Sequence, residues 1–214
     1  MIVSQIMTAN PFTVQPDTPV TDAQDIMRRE KVSRLPVLDH HKLVGIVSEK
    51  DLLYASPSPA SSLNVYEMTN LLSKLKVKSV MTKAPKTIHA NDLVEDAARL
   101  MRDTDVGGLP VLDENNNLCG IVTESDVFRL FVDLFGVRTK GIRATLRIPE
   151  KPGEIAELSQ VIADAGGDII SFGTFPGNAF NNAVCIVKAS GLSKEAFVKA
   201  VEKSIIEVLD IREA

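Results

Sequence analysis

Residues 3–39 read VSQIMTANPFTVQPDTPVTDAQDIMRREKVSRLPVLD, and residues 77–113 read VKSVMTKAPKTIHANDLVEDAARLMRDTDVGGLPVLD. The two stretches align without a gap, Met7 with Met81, Pro11 with Pro85, Asp22 with Asp96, Met27 with Met101 and Pro36 with Pro110, and about two in five positions are identical. One extra residue in the turn that follows shifts the second copy, after which Gly45-Ile46-Val47-Ser48 matches Gly120-Ile121-Val122-Thr123 and Asp51 matches Asp126. This internal repeat decides the fold, because whatever one copy forms the other must form too. A unit of about 55 residues buries too little surface to be comfortable alone, so the copies are expected to pack on each other.

Each copy has the same local grammar. Val20, Ala23, Ile26 and Met27, and likewise Val94, Ala97, Leu100 and Met101, recur at helical spacing after an Asp/Thr-rich start. Two short apolar strands follow, Leu35–Leu38 with Leu43–Val47 and Leu109–Leu112 with Leu118–Val122, joined by polar turns at Asp39-His40-His41 and Asp113–Asn117. A last helix begins at Ser48 or Thr123. The predicted unit is β-α-β-β-α, placed at 1–56 and 77–135. The Ser/Pro-rich run from Ser56 to Ser62 and a helical pattern over Val65–Lys76 make 57–76 a flexible insert and connecting helix.

Beyond Phe135-Gly136 the pattern changes. Lys140–Ile148 alternates as a strand and Glu154–Ala165 is amphipathic, with Ile155, Leu158, Val161 and Ile162 on one face and Gly166-Gly167 as the stop. Asp168–Phe175 and Ala183–Ala189 read as strands, Lys194–Ser204 as a helix and Ile206–Ile211 as a strand. That order over 138–214 is the ferredoxin-like βαββαβ arrangement, which makes the whole chain α+β.

The composition of the 214 residues, 44% hydrophobic and 24% charged with a net charge of -4, excludes wholesale disorder and argues against a general nucleic-acid clamp. No apolar run is long enough for a membrane span, and Met1-Ile2-Val3-Ser4-Gln5 lacks the basic and apolar regions of a signal peptide. A cytoplasmic location is the expectation, and two cysteines, Cys119 and Cys185, make no disulfide framework.

The chemistry-bearing motif is the tetrad that opens the last helix of each copy, Ser48-Glu49-Lys50-Asp51 and Thr123-Glu124-Ser125-Asp126. A hydroxyl at the N-cap with an acid three residues on is a capping arrangement. The same helix end also presents free N–H groups to phosphate, and a carboxylate one turn in can accept both hydroxyls of a ribose. Capping and binding are compatible. Arg34 and Lys50 of the first copy face Gly108 and Ser125 in the second, so two such clefts would differ in charge. Arg34 reads equally as a solvated strand residue. Gly107-Gly108 leaves room for a close approach, either by a ligand or by the other copy. His40 and His41 form a polar turn and His89 stands alone, so no metal site is expected.

With its repeated Met-Thr-x-x-Pro start, Leu-Pro-Val-Leu-Asp strand and Gly-Ile-Val-Ser/Thr-x-x-Asp ending, the pair resembles tandem CBS motifs, the combination called a Bateman module. The resemblance implies that the two β-α-β-β-α motifs pack as a pseudo-symmetric pair and bind an adenosine nucleotide, of the AMP, ADP, ATP or S-adenosylmethionine type. It implies that Ser48, Asp51, Thr123 and Asp126 contact ribose and phosphate, that Arg34 and Lys50 contact phosphate, and that Thr8, Thr13, Thr82 and Thr87 lie at the adenine-facing loop. The third segment, with its strand–x-x-Pro-Gly–helix start, resembles an ACT domain. That likeness implies an amino-acid effector at Pro152, Gly153, Glu154 and Ile155, a turn that otherwise reads as ordinary helix-start chemistry. The succession of two CBS motifs and an ACT domain is similar to the acetoin-utilisation regulatory proteins of bacteria.

No nucleophile elbow, P-loop, HExxH or GxGxxG occurs, and both cysteines lie in apolar strand patterns typical of inert thiols. The expected function is a ligand-sensing regulatory protein that is not an enzyme, requires no cofactor and forms a homodimer. The alternative is a regulatory subunit that docks on a separate metabolic enzyme or transporter.

Overall fold

The protein, seen in a computed structural model, is described over residues 1–55 and 74–214. The insert expected at 57–76 lies largely outside the described residues. The chain divides into two compact units, Met1–Val127 and Phe128–Ala214.

In the first unit the first repeat supplies β1 (Thr8–Ala9), α1 (Val20–Glu30), β2 (Arg34–Asp39), β3 (Lys42–Ser48) and α2 (Glu49–Tyr54). The second supplies β4 (Thr82–Lys83), β5 (Ile88–His89), α3 (Val94–Thr104), β6 (Gly108–Leu112), β7 (Leu118–Thr123) and α4 (Glu124–Leu134), a helix that runs on past the division between units. The amphipathic stripes read from the sequence are buried: Val20, Ala23 and Met27 in α1, and Val94, Ala97 and Met101 in α3. Both helices stop at a left-handed residue, Lys31 at φ 55° and Asp105 at φ 53°. His40 and His41, at φ 43° and 66°, form the two-residue turn of the β2–β3 hairpin, where positive φ at both positions matches the strand twist. The longer second turn is organised by Asp113, whose Oδ1 accepts from the N–H groups of Asn115 (2.9 Å) and Asn117 (2.8 Å). Those bonds, the one from the Asn117 backbone first, hold its carboxyl below the ordinary range.

The repeats are not self-contained, and here the structure revises the expected unit. β4 of the second repeat pairs antiparallel with β3 of the first, Thr82 opposite Ile46, while β1 of the first pairs with β7 of the second, Thr8 opposite Ile121. The sheets are therefore β2-β3-β4 and β1-β7-β6-β5, each completed by a strand from the other copy. The repeated glycine of the Gly-Ile-Val motif is what permits the crossing. A Cβ on Gly45 would stand 3.0 Å from the Thr82 carbonyl oxygen and 3.1 Å from Met81 Cγ, and one on Gly120 would stand 3.1 Å from Met7 Cγ. The exchange extends into the cores. Val77 is buried with Val14, Val20, Leu35, Val37, Val47 and Leu52, and Val3 with Ile88, Leu109, Val111 and Val122. Burying each of these two valines contributes about 1.5–3 kcal/mol to holding the repeats together.

The second unit contains β8 (Ile142–Pro149), α5 (Glu154–Asp164), β9 (Asp168–Pro176), β10 (Asn182–Ser190), α6 (Lys194–Val201) and β11 (Glu207–Glu213). Its sheet order is β11-β8-β10-β9 with every neighbour antiparallel, the split βαββαβ arrangement expected. Strict alternation in β8 buries Ile142, Ala144, Leu146 and Ile148 against Leu158, Ile162, Phe197 and Val201. Ile155 was expected on that buried stripe; it sits in the first turn of α5, outside this core, and is 43% exposed. On the opposite face of the sheet, buried Lys188 donates from Nζ to the Gly136 carbonyl (3.0 Å) and Ser171 Oγ lies 3.4 Å from the Phe135 carbonyl. An ammonium just past the end of α4 is favoured by the negative end of the helix dipole.

Candidate functional site

Ser48 stands at the N-cap of α2 with extended backbone, φ -105° and ψ 161°. Asp51 Oδ2 accepts from the Ser48 backbone N–H (2.8 Å) and from its Oγ (2.6 Å), and Ser48 Oγ accepts from the Asp51 N–H (3.2 Å). The second tetrad repeats the geometry: Asp126 Oδ2 accepts from the Thr123 N–H (2.9 Å) and Oγ1 (2.7 Å). The first tetrad thus forms the full capping arrangement, and in both the hydroxyl residue's two donors hold the aspartate at the start of a helix. For Asp51 these two bonds fall on one carboxylate oxygen, and Oδ1 takes part in neither.

The two aspartates differ in surroundings. Asp51 is half-buried and lines a cavity of about 660 Å³, whereas Asp126 is only 6% exposed and does not line it. Because the strands are exchanged, the cavity is built by both repeats. Arg34, Ser48, Glu49, Lys50 and Asp51 come from the first, and Thr82, Ala84, Pro85, Lys86, Asp105, Gly107, Gly108 and Glu124 from the second.

Of the residues singled out in the sequence, Arg34, Ser48, Lys50, Asp51 and Thr82 are brought together here, while Thr8, Thr13, Thr87, Thr123 and Asp126 are not among the residues lining this cavity. Thr82 pairs two residues before Ser48, and Thr8 pairs two residues before Thr123, so strand exchange assigns each threonine to the other repeat's aspartate. Thr13 lines a separate cavity of about 770 Å³ with Asp17, His40, His41 and Lys78, and Thr87 immediately precedes β5.

Lys50 and Arg34 are both directed by neighbours. Lys50 Nζ lies 5.8 Å from the centre of the Tyr54 ring, a cation–π distance. Arg34 Nη1 donates to Ser33 Oγ (3.2 Å), and its side chain crosses the seam onto the second repeat. A Cβ on Gly107 would stand 3.0 Å from Arg34 Cζ and 2.9 Å from Glu124 Oε2, and one on Gly108 would stand 3.1 Å from Arg34 Cδ. The bare Gly107-Gly108 backbone therefore accommodates the other repeat's arginine. Sequence reasoning missed Lys86 and Glu124. The comparison of repeats that exposed Arg34 against Gly108 also sets Lys86 against Phe12 and was the available signal.

In the second unit Gly153 is the N-cap of α5 with φ 92°, a conformation suited to glycine. Lys151 Nζ pairs with Glu157 Oε2 at 3.0 Å, which holds the Glu157 carboxyl below its usual range. A cavity of about 640 Å³ lies beside Glu150 and the hairpin from Thr174 to Ala183, and Pro152, Gly153, Glu154 and Ile155 do not line it.

Cys185 is fully buried, and desolvation pushes its thiol up to about 12. Cys119 Sγ lies 3.4 Å from the Val111 carbonyl and its thiol is also raised, first by desolvation. A thiol whose pKa is raised stays protonated at pH 8 and is a poor nucleophile. Cys185 should therefore resist a thiol-reactive chromogenic disulfide at pH 8 in the native protein and react promptly in denaturant; rapid native labelling at Cys185 would contradict its environment. Among the described residues no three His, Cys, Asp or Glu side chains group as a metal site, and no helix is long and apolar enough to cross a membrane.

The profile of the CBS domain matches residues 3–58 and 77–133. CBSX2, solved in complex with AMP, is 34% identical with a TM-score of 0.51 over 64% of this chain and 98% of the solved one. The full-length chloroplastic CBSX2 of Arabidopsis thaliana is 36% identical over 138 residues, and the match spans 58% of its length. The CBS domain pair of MJ0100, solved with 5'-methylthioadenosine and S-adenosyl-L-methionine, is 27% identical with a TM-score of 0.52 over 65% of this chain and 98% of its own. A candidate acetoin utilization protein, AcuB of Vibrio cholerae, is 27% identical with a TM-score of 0.52 over 64% of this chain and 95% of that one.

Proposed function

The chain belongs to the CBS-domain family through both of its repeats, and from that premise we propose that it is a non-catalytic regulatory protein that senses an adenosine nucleotide between them. The observation that carries this reading is Asp51. Its carboxylate is locked by Ser48 at a helix start and lines a cavity that also takes Thr82 and Lys86 from the other repeat. A carboxylate so held can accept both ribose hydroxyls, and the α2 start with Arg34 nearby suits phosphate. The adenylates bound by CBSX2 and MJ0100 support the ligand class. The tetrad that ends in Asp126, with Phe12, Gly108 and Ser125 at the positions of Lys86, Arg34 and Lys50, would hold an uncharged adenosyl group, bind weakly or stay empty.

We assign 1–56 and 77–135 to the CBS motifs, 57–76 to the segment that joins them, and 138–214 to an ACT-like unit. The split βαββαβ order supports that last assignment, with an amino acid at the Pro152–Ile155 turn as its effector. The likeness to AcuB supports a place among acetoin-utilisation regulators. Exposed Leu53 and Tyr54 on α2, and Phe128, Phe131 and Leu134 on α4, are apolar surface that a homodimer would cover. The same surface favours the second reading, docking on a separate enzyme.

A thermal-shift panel with AMP, ADP, ATP, S-adenosylmethionine and amino acids tests the function. An adenylate at a hundred times its dissociation constant should stabilise the protein by about 2.7 kcal/mol. No shift with any adenylate at millimolar concentration would overturn the reading.

A further inference from the structure

The cavity of about 640 Å³ in the second unit plays no part in the nucleotide reading. Its volume falls within the range of small-molecule sites, and its wall is mostly apolar. Phe175, Pro176, Phe180 and Ala183 line it, together with Thr174 and a single charged residue, Glu150. Phe175 is half-exposed and Phe180 fully exposed, so the folded unit leaves two large aromatic side chains uncovered at one cavity.

The hairpin that carries these rings is held in place. The Glu150 N–H donates to the Asn181 carbonyl (3.0 Å), that of Gly177 to the Asn182 carbonyl (3.2 Å) and that of Asn182 to the Ala179 carbonyl (3.3 Å). Only glycine fits at 177, because a Cβ there would stand 2.8 Å from the Asn182 carbonyl carbon. Two acceptors in the wall are left over. The Glu150 carboxylate makes no ion pair or hydrogen bond with any described residue, and the neighbouring Lys151 is taken by Glu157 at 3.0 Å. Asn182, which also lines the cavity, has a buried Oδ1 without a hydrogen-bond partner among the described residues.

We propose that this hairpin cavity is a second ligand site, selective for an organic monocation: a primary ammonium group carried on an aromatic or branched apolar body. Such an ammonium brings three donors and one positive charge to Glu150, which has no competing cation. Phe175 and Phe180 offer aromatic surface that attracts the same cation and covers its apolar body. An anion is repelled by Glu150, and a neutral ligand leaves the carboxylate unpaired. An α-amino acid brings its own carboxylate beside Glu150 and is disfavoured for the same reason. The site is therefore distinct from the Pro152–Ile155 turn, none of whose residues lines it.

Calorimetric titration of the full chain at neutral pH with 2-phenylethylamine, 2-phenylethanol, 3-phenylpropionate and phenylalanine tests this. The amine should bind saturably and about tenfold tighter than the other three, which share its ring without its lone positive charge. Glu150→Gln should weaken the amine by about tenfold and leave the alcohol within about twofold. Glu150→Asp, which keeps the charge, should retain more of the amine affinity, and Phe175→Ala should weaken amine and alcohol alike. Glu150 is exposed, so its variants should melt with the wild type. Equal affinity for amine and alcohol, unchanged amine binding in Glu150→Gln, or no saturation by any probe up to about 10 mM would overturn the site. Tighter binding of phenylalanine than of the amine would overturn the cation selectivity. The adenosine-nucleotide reading stands or falls separately, at Asp51.

Discussion

Asp51→Ala should abolish adenylate binding in the cleft, weakening AMP by about a hundredfold or more. Two ribose hydroxyls donating to one ionised carboxylate form hydrogen bonds worth about 1.5–3 kcal/mol each, and alanine removes both. The substitution also removes the partner of the Ser48 N–H and Oγ, so α2 should lose about 1 kcal/mol of capping. Asp51→Asn separates the two effects. Its amide oxygen can still accept from the Ser48 N–H, but the side chain no longer offers a charged pair of acceptors to a diol. Binding should be lost in both variants, with the melting temperature of the asparagine variant nearer to wild type. AMP affinity within twofold of wild type in both would remove Asp51 from the site.

The largest loss of stability should follow Phe197→Ala. Phe197 is fully buried and packs in the single core of the second unit with Leu146, Ile148, Leu158 and Ile162. Truncating a buried phenylalanine costs about 3–5 kcal/mol, a large share of the roughly 5–15 kcal/mol that holds a domain together. Differential scanning calorimetry should show a transition displaced downward by tens of degrees, at about 4–8 °C per kcal/mol for a unit of this size. Adenylate binding near Asp51 should persist at temperatures where Met1–Val127 stays folded, because Phe197 contributes nothing to that unit's cores. A melting profile unchanged by the substitution would contradict the packing.

Much of the architecture was legible because it is written in local periodicities. Val20, Ala23 and Met27 announce a buried helical stripe, alternation from Ile142 to Ile148 announces a one-sided strand, and both lie as expected. The capping geometry of Ser48 with Asp51 was equally local, since a hydroxyl with an acid three residues on is the pattern of a helix start. Long-range partnership was not legible. Met-Thr at the entry to β1 and β4 shows an extended segment, but nothing in two residues says which sheet receives it, and both strands go to the other repeat. That exchange is why Thr82 reaches the Asp51 cavity, and why Lys86 escaped notice. Arg34 stood out in the sequence as asymmetric, yet its reach over the second repeat depends on the side-chain-free surface at Gly107 and Gly108, a feature of the folded pair. Ile155 was misplaced because periodicity gives a face and not how far along a helix the core extends.

The exchanged strands bear on how such a protein can be divided. Cutting between the repeats would strip each sheet of an outer strand and each interior of a valine, leaving an unpaired β3 or β7 margin. A solitary half-length fragment could regain its missing pieces only by borrowing them from a sister molecule. Tandem duplication within one polypeptide makes that loan permanent and independent of concentration.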